Sequence, residues 1–287
     1  MNTEEKLCAD LVAAMEKGVS PWRKPWKAEQ GQHRNPLSGA VYSGANPIVL
    51  ELAMAIRGTD LPLWCGYGQA KGRGWHPRKG SKAALILRPE VHKREEAGDD
   101  GEKIEMVWTS YKAVNVFSFA DLEGDGLSEY IDTALGGVMA RPEPERLGDA
   151  EKVLRSWQIQ PSFGGSRAFY IPSTDTICLP SPDRFESAGG FVSTWCHEVA
   201  HSTGHKSRLN RDLSGRMGSA AYAREELVAE LASFLICRRL EVSSCTENHA
   251  AYLGHWVEML KESPKVLLKV LSDSRKAADL VTESESA

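Results

Sequence analysis

No apolar stretch in this 287-residue chain approaches the roughly 20 residues that cross a bilayer as a helix, so neither a membrane span nor a lipid partner is expected. Met1–Gly18 is acidic and amphipathic, which argues against a secretory signal. The six cysteines (Cys8, Cys65, Cys178, Cys196, Cys237, Cys245) include no Cys-x-x-Cys pair. Packed, reduced thiols and a cytoplasmic location are the simplest expectation. No internal repeat, helix-turn-helix, zinc finger or ribonucleoprotein aromatic signature is present. Acidic residues are scarce in one region. Residues 17–88 hold twelve basic and three acidic side chains, a balance of +9 that leaves −13 on the rest of a chain whose total is −4. A basic module joined to an acidic one is a statement about partners.

Against these absences stands one compact pattern, His197-Glu198-Val199-Ala200-His201, within a stretch from Gly190 to His205 that can form a helix. Histidines at i and i+4 share a helical face, roughly 6 Å apart, and both rings can reach one Zn²⁺ (another divalent metal is an alternative). Glu198 stands near the same face, where it can take a proton from a metal-activated water as catalytic base. Phe191, Val192, Trp195 and Val199 supply apolar residues for burial, and Gly204 can end the helix.

A third histidine at the longer His-Glu-x-x-His-x-x-Gly-x-x-His spacing is excluded, because that position is Ser207. His205 lies ~12 Å beyond His197 on a continuous helix, which suits a cap or a supporting group. Residues 221–240 give a second helical pattern, with Leu227, Leu231, Phe234 and Leu235 on one face. Glu226 and Glu230 are one turn apart on another. Glu226 is read as the third metal ligand and Glu230 as the carboxylate that accepts the N–H of a ligating histidine. Glu225 is the neighbouring competitor for the ligand role. Most helical Glu pairs are merely solvated; the two upstream histidines favour the metal reading here.

The expected fold class is α+β. A basic N-terminal α+β nucleic-acid-binding domain (residues 1–134) is followed by a linker (135–147). A mainly helical zincin-like domain of gluzincin type, with a small β-sheet, completes the chain (148–287). Helices are expected at Asn2–Lys17 and Asn46–Arg57. Strands are expected at Lys82–Arg88, Ile104–Thr109 and Ala113–Phe119, with Lys93–Lys103 as an exposed hairpin loop. Arg167–Pro180 reads as two short strands around Ser173-Thr174-Asp175, after a helix near Gly148–Trp157. Two late helices are marked by a capping box at Ser244-x-x-Glu247 and by Ser263-Pro264.

In the basic region, Trp22, Trp26, Tyr42, Trp64, Tyr67 and Trp75 are interleaved with cations. Single-stranded nucleic acid needs a positive groove for phosphates and exposed rings for bases. Trp22, Arg23, Lys24 and Trp26 combine both on a Pro-restricted loop. Lys71, Arg73, Trp75, Arg78 and Lys79 repeat the combination, and all nine are candidate DNA contacts.

These motifs together resemble the ArdC-type antirestriction proteins of conjugative plasmids, whose N-terminal domain also occurs fused to plasmid primases. The resemblance is carried by PWRKPW (21–26), Tyr42-Ser43-Gly44-Ala45-Asn46, GQAKGRG and RKGSKA (68–83), and VNVFSFADLEG (114–124). In the second half it is carried by AFYIPSTDTICLP (168–180), TWCHEVAHSTGH (194–205) and YAREELVAELASF (222–234). Ala45 and the pair Trp195-Cys196 depart from the simplest pattern, and neither touches the metal-site logic. The resemblance implies a single-stranded-DNA-binding domain followed by a metallopeptidase-like domain, and a role in protecting incoming plasmid DNA from host restriction. The zincin-like domain then either cleaves a protein partner, such as a host protein, or has retained its site for another purpose. Two other functions fit the residues: a cytosolic zinc peptidase whose basic half recruits substrate, and a DNA-binding protein whose metal is structural.

Overall fold

A computed structural model describes residues 3–16, 31–97, 103–136, 141–243 and 253–283. The chain opens with α1 (Thr3–Glu16), whose buried stripe is Cys8, Leu11, Val12 and Met15. A two-residue pair, β1 (Arg34–Asn35) and β2 (Ala40–Val41), leads to α2 (Asn46–Arg57). Pro47 in the first turn starts α2, and Gly58 ends it at φ 64°, a left-handed conformation that costs glycine little. Then come β3 (Trp64–Cys65), the short α3 (Tyr67–Gly72), β4 (His76–Pro77), the long strands β5 (Ala84–Ala97) and β6 (Lys103–Ser118), and β7 (Leu122–Glu123). β3, β6 and β5 form an antiparallel sheet in that order.

α4 (Leu127–Gly136) closes the first half, packing with Trp75 and Phe119, and α5 (Glu143–Ser156), β8 (Ser162–Phe163), β9 (Phe169–Ile171) and β10 (Thr176–Leu179) come next. The helices α6 (Ala188–Ser202), α7 (Ala220–Arg239), α8 (Leu253–Glu262) and α9 (Lys265–Thr282) follow. β10 lies between β8, parallel to it, and β9, antiparallel to it, so β9 is an edge.

The mixed α+β class is as expected, and several local expectations need correction. Ile104–Thr109 and Ala113–Phe119 are not two strands: residues 103–118 form one strand, paired with β5 from Ala84↔Val116 to Ala97↔Lys103. Lys93–Ala97 belongs to the ribbon, and only residues 98–102 of the expected loop lie outside the described residues. Among the described side chains of the outer ribbon, Val91 is 63% and Val107 57% exposed, so the period-2 apolar signal of a half-buried strand is weak there. α4 had no counterpart in the sequence reading, and α5 begins at Glu143, within the stretch read as a linker. The expected capping box at Ser244 lies outside the described residues.

Packing ties the two halves together. The main core is built from α5, α6, α7, α8 and α9, yet it includes the stripe of α1 and Ile48, Val49 and Leu52 of α2. Leu50, Ala53 and Met54, on the other side of α2, pack with Trp64, Ala84 and Val116 of the first sheet. α2 is thus buried on two sides, between sheet and helices. At that junction Arg238 of α7 donates to Glu51 of α2 (3.0 Å), and His33 sits 3.2 Å from the same oxygen. The Trp64 indole N–H donates to His33 Nδ1 (3.1 Å). Burial, helped by Arg238, pulls His33 down to about 4, so it is neutral near pH 7. Its proton must then lie on Nε2, where it can be donated to Glu51.

Candidate metal centre

α6 starts at Ser187, whose hydroxyl accepts from the Gly190 N–H (3.0 Å), and its apolar side is buried through Phe191, Val192, Trp195, Cys196 and Val199. This register turns His197, Glu198 and His201 toward α7. Ser219 caps α7 in the same way, accepting from Tyr222 N (3.2 Å), and α7 presents Glu225, Glu226 and Glu230 back.

The structure brings His197, His201 and Glu226 into one triangle. The two Nε2 atoms are 3.2 Å apart, Glu226 Oε1 is 3.6 Å from His201 Nε2, and Glu226 Oε2 is 3.8 Å from His197 Nε2. Ligands about 2.0–2.1 Å from a tetrahedral cation stand roughly 3.3–3.4 Å apart. The donor triangle therefore fits a divalent ion of that size, and these three are the group among the described residues able to hold one.

Each histidine is backed by its own carboxylate. Glu230, fully buried, places Oε2 3.5 Å from His197 Nδ1. Glu225 Oε1 is 3.3 Å from His201 Nδ1. With protons on Nδ1 and none on Nε2, the state a cation would require, both Nε2 lone pairs would face the triangle. Glu225 is also gripped by Arg211, whose Nε and Nη2 donate to its two oxygens at 2.9 and 2.7 Å. Glu225 is thus held by Arg211 against Nδ1 of His201 and lies outside the donor triangle. Arg211 escaped the sequence reading because it lies in the irregular loop between the two helices, where no period marks it. Gly204 carries the one signal: a Cβ there would stand 2.9 Å from the side-chain ends of Arg211 and Leu213, so a larger residue would push the Arg211 guanidinium from its place. α6 itself has already ended at Ser202.

Burial pushes Glu198 up to about 7, with Glu226 adding to the shift and His201 opposing it. Burial lowers His201, but Glu225, Glu226 and Glu198 outweigh it and hold the ring up to about 9. A proton thus occupies the place where a cation would supply positive charge. His197, Glu198, His201 and Glu226 line a cleft of about 310 Å³, whose other walls include Phe169 and Tyr170 of β9, Leu213 and Tyr222. His205 is outside the triangle, 2.7 Å from the Ser207 hydroxyl and 3.7 Å from Asp175.

In the first half, Lys71, Arg73, Arg78 and Lys79 are exposed. Trp75 corrects the expectation of a stacking ring. It is 4% exposed, its N–H donates to Asp125 O (3.0 Å), and it packs on Tyr130 and Phe119 with centroids at 5.1 and 5.9 Å. Trp64 is also fully buried. Trp22, Arg23, Lys24 and Trp26 lie outside the described residues.

Residues 1–117 match the N-terminal domain of the anti-restriction factor ArdC, and residues 148–273 match a zincin-like metallopeptidase family. The metal-free crystal structure of the antirestriction ArdC protein from plasmid R388 aligns with a TM-score of 0.73 at 31% identity, over 100% of this chain and 98% of that one. The chain belongs to the ArdC antirestriction family. The Mn(II)-bound form of the R388 protein aligns with a TM-score of 0.70 at 29% identity, over 99% of this chain and 98% of that one. Protein y4eC of Sinorhizobium fredii is 31% identical over 98% of this chain and 92% of its own length. Two Escherichia coli DNA primases TraC are 33% and 34% identical over 98% of this chain, which spans only 20% and 27% of their lengths. No helix among the described residues is long and apolar enough to cross a membrane.

Proposed function

We propose that this ArdC-family protein binds single-stranded DNA through its basic first half and carries a zinc peptidase in its second, acting in the cytoplasm to protect plasmid DNA from host restriction during conjugation. The observation that carries the reading is the donor triangle of His197, His201 and Glu226 with Glu198 buried beside it. Two imidazoles and a carboxylate suit Zn²⁺, and the set also admits Mn²⁺. When bound, the cation supplies an acidified water and a polarised scissile carbonyl. Glu198, held near 7, is matched to accept the proton and pass it to the leaving amine. The free edge of β9 can pair with an extended segment of a host protein, which sets the scissile bond across the cleft. Five cysteines are unpaired among the described residues, which suits a reducing compartment.

The test is conjugation into a restricting recipient with wild type, Glu198→Gln and Glu226→Gln compared side by side, with metal content measured on each purified protein. The expected result is that Glu198→Gln keeps its metal and loses protection, while Glu226→Gln loses both. Full protection by Glu198→Gln would sink the peptidase and leave a DNA-binding protein with a structural metal.

A further inference from the structure

The ring that the buried Trp75 does not offer is found one element earlier, at the start of α3. Tyr67 is 53% exposed, whereas Trp64 and Trp75 are buried. It stands on a fixed base. The Gln69 side-chain oxygen accepts from the Gly66 N–H (2.9 Å) and from Asn35 Nδ2 (2.8 Å), which pins the first turn of α3. Phe117, next to β3, flanks the ring with its centroid at 6.3 Å. Lys71 is one helical turn from Tyr67 and shares its face. Arg73, immediately after α3, holds its guanidinium 5.5 Å over the Tyr130 ring.

Two glycines on α3 point the same way independently. Gly68 is the second residue of the six-residue α3 and Gly72 its last, and both are exposed. Neither has a positive φ, and a Cβ on either would meet no atom within 4 Å. Nothing within the described chain requires them to be glycine. A backbone left bare on an exposed helix permits close approach by something outside the chain. Residues 61–89 contain six cations and no acid, and two acids of the adjoining β7 region are engaged: Asp121 by Arg57 (2.8 Å) and Glu123 by His76 (3.1 Å).

We propose that α3 is a nucleotide platform, on which a base of single-stranded nucleic acid stacks against Tyr67 while its sugar-phosphate lies along Gly68 and Gly72 beside Lys71 and Arg73. This rests on the single-stranded-DNA reading above and names the site that performs it. The test is fluorescence anisotropy of the full chain with a labelled oligo-thymidine at several salt concentrations. Tyr67→Ala is expected to weaken binding about 5- to 150-fold, the range for loss of one stacked base, and Tyr67→Phe to restore it. Gly72→Ala favours the helix, so it cannot fail by unfolding it, and is expected to weaken binding nonetheless. Lys71→Ala is expected to reduce the salt slope by about 0.7. Wild-type binding with Tyr67→Ala and Gly72→Ala within twofold of it would overturn the platform. Equal losses on a duplex, whose bases are already stacked, would overturn the stacking. Absence of any wild-type binding at low salt would instead remove the DNA-binding reading itself.

Discussion

His201 is surrounded by three carboxylates, and that crowding sets how the centre responds to pH. In the cation-free protein the ring keeps its proton up to about 9. A cation arriving below that pH must displace it, so about one proton is released per ion bound near pH 7. Apparent affinity is expected to rise roughly tenfold per pH unit from 7 toward 9. Calorimetry in buffers of different ionisation enthalpy checks the count; buffer-independent heats at pH 7 would contradict the assignment. The Nδ1 partners give a second expectation. Glu225→Gln and Glu230→Gln should each lower metal affinity about 10- to 100-fold without removing a ligand. Competition with a chromophoric chelator measures it, and an unchanged affinity for Glu225→Gln would mean that Arg211 alone fixes the loop.

The two metal helices were legible in the sequence because their information is local. The i, i+4 spacing of His197 and His201, the four-residue step from Glu226 to Glu230, and the apolar stripes all act within one helix. The roles of Glu225 and Arg211 were not, since they depend on a loop folding back across Gly204. Trp75 was misread for a related reason: its neighbours Phe119 and Tyr130 come from more than forty residues away. The outer β5–β6 ribbon gave a broken signal because solvent touches it widely, and α4 went unrecognised altogether. α2 illustrates a further case, a helix whose two buried sides serve different cores. Its Glu51 is 6% exposed and Arg238 of α7 is 4% exposed. Removing one partner strands the other charge, so Glu51→Ala is expected to cost about 3–5 kcal/mol. Replacing both by well-packed apolar residues should recover much of that loss. Chemical denaturation of the single and double variants decides it; additive losses would show that the pair is not coupled.

The chain as a whole divides by charge but not by packing. Residues 17–88 carry +9 against −13 elsewhere, while α1 and α2 contribute to the helical core of the acidic half. Thermal unfolding of the full chain is therefore expected to show one transition, coincident by tryptophan fluorescence and circular dichroism. Excess chelator should lower its midpoint by removing a ligand of the native state. Two separated transitions would show that the halves fold independently. The buried Glu51–Arg238 contact also bears on where the chain can be divided. Cutting it between the halves would leave a bare carboxylate on one side and a bare guanidinium on the other, each in an apolar seam. The TraC primases, several times longer than this chain, align with it over 98% of its length and not over one half alone. What recurs inside those longer proteins is therefore the unit of both halves together.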